Sequence, residues 1–256
     1  MKDEIQVAKI VSIAKLAGKA ILNIYNHADF SQLVDFKSDS SPLTLADQQA
    51  HKIIVRELAN VHPEIPVISE EGKEIPYQQR QKYQRFFLVD PLDGTKEFIK
   101  RNGEFTVNIA LIENGHPVLG VVHVPVKDIT YYGEKGSGAY LLEADALPRQ
   151  IQVNNREGER IAVRSKSHPS PEEEVVLDRY HVVQSISRGS SLKFCMVAEG
   201  KADIYYRHGP TMEWDTAAGQ AVVEAANGKV LAGTGPEAFT YNKPSLLNGS
   251  FLCLGF

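Results

Sequence analysis

The spacing of apolar positions predicts helices at the start of the chain and strands through its middle. Ile5, Ala8, Ile13, Ala17, Ala20, Ile21 and Ile24 recur on a helical period, so residues 5–25 are expected to form an amphipathic helix. Residues 31–43 are polar and end in Ser40-Ser41-Pro42, a loop signature. A second helix is expected from Thr44 through Ile53, Ile54 and Leu58, and Thr44 with Asp47 three residues on resembles a capping box. Residues 65–69 read as a short strand, and 70–85 as a polar segment without periodicity. Phe86-Phe87-Leu88-Val89 is a continuous apolar run, as in a strand covered on both faces, and it is expected to stop at Asp90-Pro91. Strands at 105–112, 118–126 and 129–133, with turns at Asn114-Gly115 and Val126-Lys127-Asp128, suggest an antiparallel meander.

From about residue 160 the pattern changes. A strand at 160–164, a helix at 191–199 closed by Gly200, a strand at 203–206 and a helix at 216–226 closed by Asn227-Gly228 alternate as in a layered α/β unit. Gly200 and Gly228 stand where the residue just past a helix is usually glycine. No Pro/Gly/Ser-rich linker divides the chain. Residues 1–256 are therefore expected to form one unit of two lobes, about 1–155 and about 156–256.

Composition narrows the function. The chain has 256 residues, 43% hydrophobic and 23% charged, which is ordinary for a globular protein. A net charge of −4 leaves no basic footprint for a nucleic-acid polymer, although a single nucleotide needs few cations and stays open. Cys195 and Cys253 both lie in apolar stretches and read as reduced core thiols, which fits a reducing compartment. The N-terminus lacks an apolar secretory core, and no run approaches the roughly 18 apolar residues of a membrane span. A cytoplasmic location is expected.

Four acidic sites stand out. Asp47 and Asp215 open helices and, taken singly, could serve only the helix dipole. Glu70, in Ser69-Glu70-Glu71, could be half of a solvated charge pair, and Asp93-Gly94 an ordinary turn. The segment Asp90-Pro91-Leu92-Asp93-Gly94-Thr95 argues otherwise. Its first carboxylate follows a buried strand, where open sheets bind ligands. A second returns three residues later, with the Leu92 carbonyl between. Hard cations such as Mg²⁺ take this mixture of carboxylate, carbonyl and hydroxyl oxygen. Gly94 permits close backbone approach, and the amides of Gly94 and Thr95 at a helix start suit phosphate. The residues alone imply a metal-and-phosphate site.

These residues also resemble a known family. Asp90-Pro91-Leu92-Asp93-Gly94-Thr95, Trp214-Asp215-Thr216-Ala217-Ala218-Gly219 and Ser69-Glu70-Glu71 are similar to three signatures of the inositol-monophosphatase-like phosphatases, in the family's order. Lys96-Glu97-Phe98 and the stretches 95–112 and 189–219 look like the bisphosphate-nucleotidase branch. The likeness runs from Asp47 through Asn248 and is weakest at 135–160 and 169–188. It implies an α/β fold of mixed layers, an αβαβα sandwich with the site between the lobes. It implies two Mg²⁺ ions, one on Glu70, Asp90, the Leu92 carbonyl and Thr95, the other on Asp90, Asp93 and Asp215, with a third, weaker ion leaning on Glu70. Asp47, Glu70 and Thr95 become the catalytic residues, Asp47 accepting the Thr95 hydroxyl proton. The substrate, a small nucleotide bisphosphate, is expected to meet Asp93, Gly94, Thr95, Lys96, His168, Ser190, Lys193, Arg207, Glu213 and Asp215. Ser190 reads equally well as the N-cap of the 191–199 helix. Glu213 keeps an inositol or fructose phosphate open as substrate, and a catalytically silent nucleotide sensor is the rival of another class. The resemblance leaves open monomer or homodimer, and peripheral association with the cytoplasmic face of the inner membrane.

Overall fold

The computed structural model describes residues 6–26, 34–36, 42–144, 146–155, 157–165 and 170–256, with backbone alone at 34–36 and 42–44. In chain order the elements are α1 (Val7–Tyr25), β1 (Val34–Phe36), β2 (Pro42–Thr44), α2 (Leu45–Val61), β3 (Val67–Ser69), α3 (Tyr77–Arg80), β4 (Arg85–Asp93) and α4 (Thr95–Ile99). There follow β5 (Thr106–Glu113), β6 (His116–Val124), β7 (Ile129–Glu134), β8 (Gly138–Glu143), β9 (Arg149–Ile151), β10 (Arg160–Ser165), α5 (Pro171–Asp178), β11 (Val182–Arg188) and α6 (Leu192–Ala198). The last are β12 (Ile204–Arg207), β13 (Thr211–Met212), α7 (Glu213–Ala225), β14 (Lys229–Ala232), β15 (Leu247–Asn248) and β16 (Phe251–Leu254).

Strands β3 to β9 form a seven-stranded sheet in chain order, antiparallel except for the parallel β3–β4 pair. The expected meander is its centre, extended by β8 and β9. Between β5 and β6, Asn114 (φ 49°) and Gly115 (φ 78°) take the left-handed conformations of a tight hairpin. A second sheet has the order β11-β10-β12-β16-β14.

Period-two alternation divides the core. Phe87, Val89, Ile109, Leu111 and Val121 face α1 and α2, which bury Ile10, Ile13, Ala17, Ile21, Ala50, Ile54 and Leu58. The stripe of α1 thus runs through Ile10 and Ile13, while Ala8 faces solvent. The alternate residues Phe86, Leu88, Ala110, Ile112 and Val122 meet Phe194, Val197, Ala218 and Val222 of α6 and α7. Those two helices also rest on Val163, Tyr205, Phe251 and Cys253 of the second sheet. Its other face, with Ala162, Ile204 and Leu252, carries Val176 and Leu177 of α5. Five layers result, αβαβα, as the resemblance implies. Each fully buried aromatic or aliphatic side chain contributes about 1.5–3 kcal/mol to holding them together.

Three local expectations are corrected. β4 does not stop at Asp90-Pro91; it runs to Asp93, with its register against β5 shifting between Asp90 and Asp93. A bulge, not a turn, therefore aims both carboxylates. The polar 70–85 segment contains α3, and residues 171–188, for which the pattern set no expectation, contain α5 and β11. At the end of α7, Asn227 (φ 70°) takes the left-handed position instead of Gly228. Gly228 matters for space, since a Cβ there would lie 2.6 Å from Val223 and 2.8 Å from the Leu254 carbonyl. The Thr44 side chain of the expected capping box lies outside the described residues. No described helix is long and apolar enough to cross a membrane.

Candidate active site

The site is built on the bulged end of β4. Asp90 is 1% exposed, and its Oδ1 accepts the Leu92 N–H at 3.0 Å. Burial pushes its carboxyl well above the ordinary range, and the charges of Glu70, Asp93, Asp215 and Asp47 push it the same way. The structure thus brings five sequence-chosen carboxylates to one place. Asp215, on the first turn of α7, is also raised, by burial and then by Asp93, although its Oδ2 accepts the Met212 N–H at 2.8 Å. Asp47 and Asp90 are buried, Asp93 and Asp215 half-buried and Glu70 exposed; such crowding of carboxylates is relieved by protons or by cations, and an all-oxygen donor set fits a hard divalent ion. Among the described residues no three acidic, His or Cys side chains already close on a single point.

Neighbouring contacts hold this cluster in place. Tyr25, Phe98 and Phe105 pack in tilted and edge-to-face pairs with ring centroids 5.0–5.1 Å apart and pin α4 against α1. That anchors Gly94, whose left-handed φ of 92° suits glycine, and the half-buried Thr95 that follows. Lys96 on the same turn is exposed. The Glu70 turn is closed by Gly72 N–H to the Ser69 carbonyl (2.9 Å) and tied to β4 by Glu70 N–H to the Val89 carbonyl (3.1 Å). His51, one helical turn beyond Asp47 on α2, places Nδ1 2.8 Å from the Ser69 hydroxyl.

The start of α6 meets Asp93 directly. Asp93 Oδ2 accepts the Ser191 N–H (2.6 Å) and hydroxyl (2.8 Å), with Asn108 and Thr106 at 3.4 and 3.5 Å. Register explains the last two: Asp90 pairs with Asn108 and Asp93 with Thr106 across β4–β5. Ser190 (φ 45°) lies with its hydroxyl 3.0 Å from that of Thr106. It is not the N-cap of α6; Ser191 holds that position and makes no capping bond.

Two buried cations lie nearby. Lys193 Nζ donates to the Ser190 carbonyl at 2.7 Å, and burial pushes its ammonium down to about 8 against the attraction of Asp93. Arg207, expected among the substrate-binding residues, is 9% exposed, and among the described residues its Nε is buried without a hydrogen bond. Glu213 requires a correction. Expected among the substrate-binding residues, it is 0% exposed, and its carboxylate accepts the Asn242 N–H (2.7 Å), the Lys243 N–H (3.0 Å) and the Lys243 ammonium (2.6 Å). It fastens the 242–243 segment to the start of α7, behind Asp215. His168 lies outside the described residues.

Ser191, Asn108, Thr106 and His51 were not singled out by the sequence. Thr106 and Asn108 did carry a signal: two polar residues in a strand otherwise apolar must find partners when buried.

Comparison with known proteins agrees with this architecture. Residues 2–252 match the inositol monophosphatase family. The 3′(2′),5′-bisphosphate nucleotidase CysQ of Salmonella typhimurium is 46% identical over 243 residues, 95% of this chain and 97% of that protein. A crystal structure of CysQ from Bacteroides thetaiotaomicron superposes with a TM-score of 0.85 at 43% identity, covering 97% of this chain and 96% of that one. The extragenic suppressor protein suhB of Bartonella henselae superposes at 0.79 with 27% identity, over 97% and 93%. With the carboxylate cluster, the layer order and a family match over nearly its whole length, this chain belongs to the inositol monophosphatase family.

Proposed function

We propose that the chain is a Mg²⁺-dependent 3′(2′),5′-bisphosphate nucleotidase that hydrolyses the 3′-phosphate of adenosine 3′,5′-bisphosphate. Water adds to phosphorus, the ribose 3′-oxygen leaves and takes a proton, and AMP and inorganic phosphate result. The 5′-phosphosulfate analogue is a second candidate substrate. The observation that carries the reading is the pairing of the carboxylate cluster around Asp90 with two buried cations, Lys193 and Arg207, whose charges act on Asp93 and Asp215. A substrate with a second phosphate uses both halves, and guanidinium and ammonium are its natural partners. A sugar monophosphate needs only the first. The relatives named as bisphosphate nucleotidases support the same choice.

Glu70, Asp90, Thr95 and the Leu92 carbonyl would hold one Mg²⁺, and Asp90, Asp93 and Asp215 a second, with a third leaning on Glu70. Bound there, the ions supply Lewis acidity for the attacking water and neutralise charge at the leaving oxygen. Thr95 orients the water through its hydroxyl, and Asp47 takes the proton passed through that hydroxyl. The amides of Gly94 and Thr95 hold phosphoryl oxygens. Ser190, Lys193, Arg207 and His168 bind the rest of the nucleotide, with Lys96 at the rim. The site lies between the two lobes, which divide near residue 155. A cytoplasmic setting fits the two free, buried thiols.

Phosphate release from adenosine 3′,5′-bisphosphate, inositol 1-phosphate and fructose 1,6-bisphosphate, side by side with Mg²⁺, tests the proposal. The nucleotide is expected to show the highest kcat/KM, and a higher value for inositol 1-phosphate overturns the reading. A wild-type protein that binds the nucleotide without turnover would establish a sensor instead.

A further inference from the structure

We propose that Ser191 is a positioning residue that sets the affinity of the Asp93–Asp215 side of the site for its divalent cation; the inference rests on the metal reading above. Ser191 is 2% exposed and lies where three segments meet. Its Oγ is 2.8 Å from Asp93 Oδ2, 2.8 Å from Asn108 Nδ2 and 3.0 Å from the Asp215 carbonyl oxygen. The hydroxyl has one proton. Asn108 Nδ2 can only donate, so it occupies a lone pair and leaves that proton for Asp93 Oδ2 or the Asp215 carbonyl. The shorter contact, to a carboxylate, is the stronger. With the Ser191 N–H also on Oδ2 at 2.6 Å, that oxygen is taken up. Among the described residues Oδ1 accepts no hydrogen bond and is the atom left for a cation.

Ser191 thus fixes the rotamer of one cation-binding carboxylate. The Asp215 carbonyl, 3.0 Å from the same hydroxyl, is the competing acceptor that Asn108 helps to exclude. Asn108 aims the serine, and its own place is set by the β4–β5 register. Nothing in this chain of contacts requires Ser191 to touch the nucleotide.

The test is a Mg²⁺ titration by calorimetry without substrate, on wild type, Ser191→Ala and Asn108→Leu, followed by kinetics. Ser191→Ala is expected to weaken one class of Mg²⁺ site by about tenfold to hundredfold, the worth of one hydrogen bond to a charged group. Asn108→Leu, which leaves the hydroxyl free to turn to the Asp215 carbonyl, should weaken it by a smaller factor. At saturating Mg²⁺ the KM for adenosine 3′,5′-bisphosphate should stay within about twofold, since a single lost contact to substrate would move it further. Unchanged Mg²⁺ binding in both variants, or a raised KM with Mg²⁺ binding intact, overturns the proposal. If Ser191→Ala does not fold, the Asn108→Leu titration decides alone. Wild type that binds Mg²⁺ but does not hydrolyse the nucleotide would sink the proposed function while leaving this inference standing.

Discussion

The large sheet and the small one meet the site in different ways. In the large sheet β5 is buried at every position but its last, because helices cover both faces. In the small sheet the edge strand β11 has no buried position at all. The first is stiff and apolar and ends in the carboxylates Asp90 and Asp93 through its neighbour β4. The second leads straight into the 188–191 loop, which supplies hydrogen-bond donors from Ser190 and Ser191. Holding several negative charges together costs energy, so that task falls to close-packed strands. Donors that meet Asp93 and Thr106 of the large sheet follow a strand that contributes little to the core.

This contrast can be broken by paired substitutions. The largest expected effect is on stability. Phe87→Ala, fully buried in β4, should cost about 3–5 kcal/mol by urea unfolding. Val183→Ala, 62% exposed on β11, should stay within about 0.5 kcal/mol. Equal losses would refute the division of labour. For catalysis, Asp93→Asn should lower kcat by roughly 10²–10³ in a phosphate-release assay while the circular dichroism spectrum stays native. Ser187→Ala, exposed on β11, should leave kcat unchanged.

Acidity sharpens the comparison further. Burial pushes the imidazole of His123, in β6 of the large sheet, down to about 4 from 6.5. As pH falls below 6.5 the unfolded chain takes up this proton before the folded one does. The stability tied to neutral His123 is therefore complete above 6.5 and is lost down to pH 4, at most about 3 kcal/mol by linkage. Asp90 and Asp215, whose carboxyls are raised, act in the opposite sense, since the folded chain protonates first and acid relieves their repulsion. Subtracting the thermal-unfolding pH profile of His123→Asn from that of wild type should isolate the histidine, and a flat difference would contradict its burial as the cause. A smaller effect, about 1–3 kcal/mol, is expected for Gly120→Ala, measured by the same unfolding. Gly120 faces Gly133 across β6–β7, and the pair makes room for α7; a Cβ at Gly120 would strike the Ala218 carbonyl.

The comparison also explains what was legible in the sequence. Phe86 to Val89 and the residues after them are contiguous, so a buried strand and the carboxylates at its end could be read from one short segment. The hairpin at Asn114-Gly115 was legible for the same local reason. β11 and α5 were not, because an edge strand and a surface helix carry no continuous apolar pattern. Ser191, Thr106 and Asn108 depend on pairing between β4 and β5 and on contact of those strands with the start of α6, and neither appears in local spacing. Glu213 was misread because its carboxylate is engaged by the 242–243 segment, some thirty positions along the chain.

The central claim is that the acidic cluster and the buried cations together select a nucleotide bisphosphate and cleave its 3′-phosphate. It is tested most directly by ³¹P NMR on an equimolar mixture of adenosine 3′,5′-bisphosphate and inositol 1-phosphate with the protein and Mg²⁺. The account predicts that the 3′-phosphate signal disappears first, with AMP and inorganic phosphate appearing in equal amounts. Accumulation of adenosine 3′-phosphate, or prior consumption of inositol 1-phosphate, would contradict it.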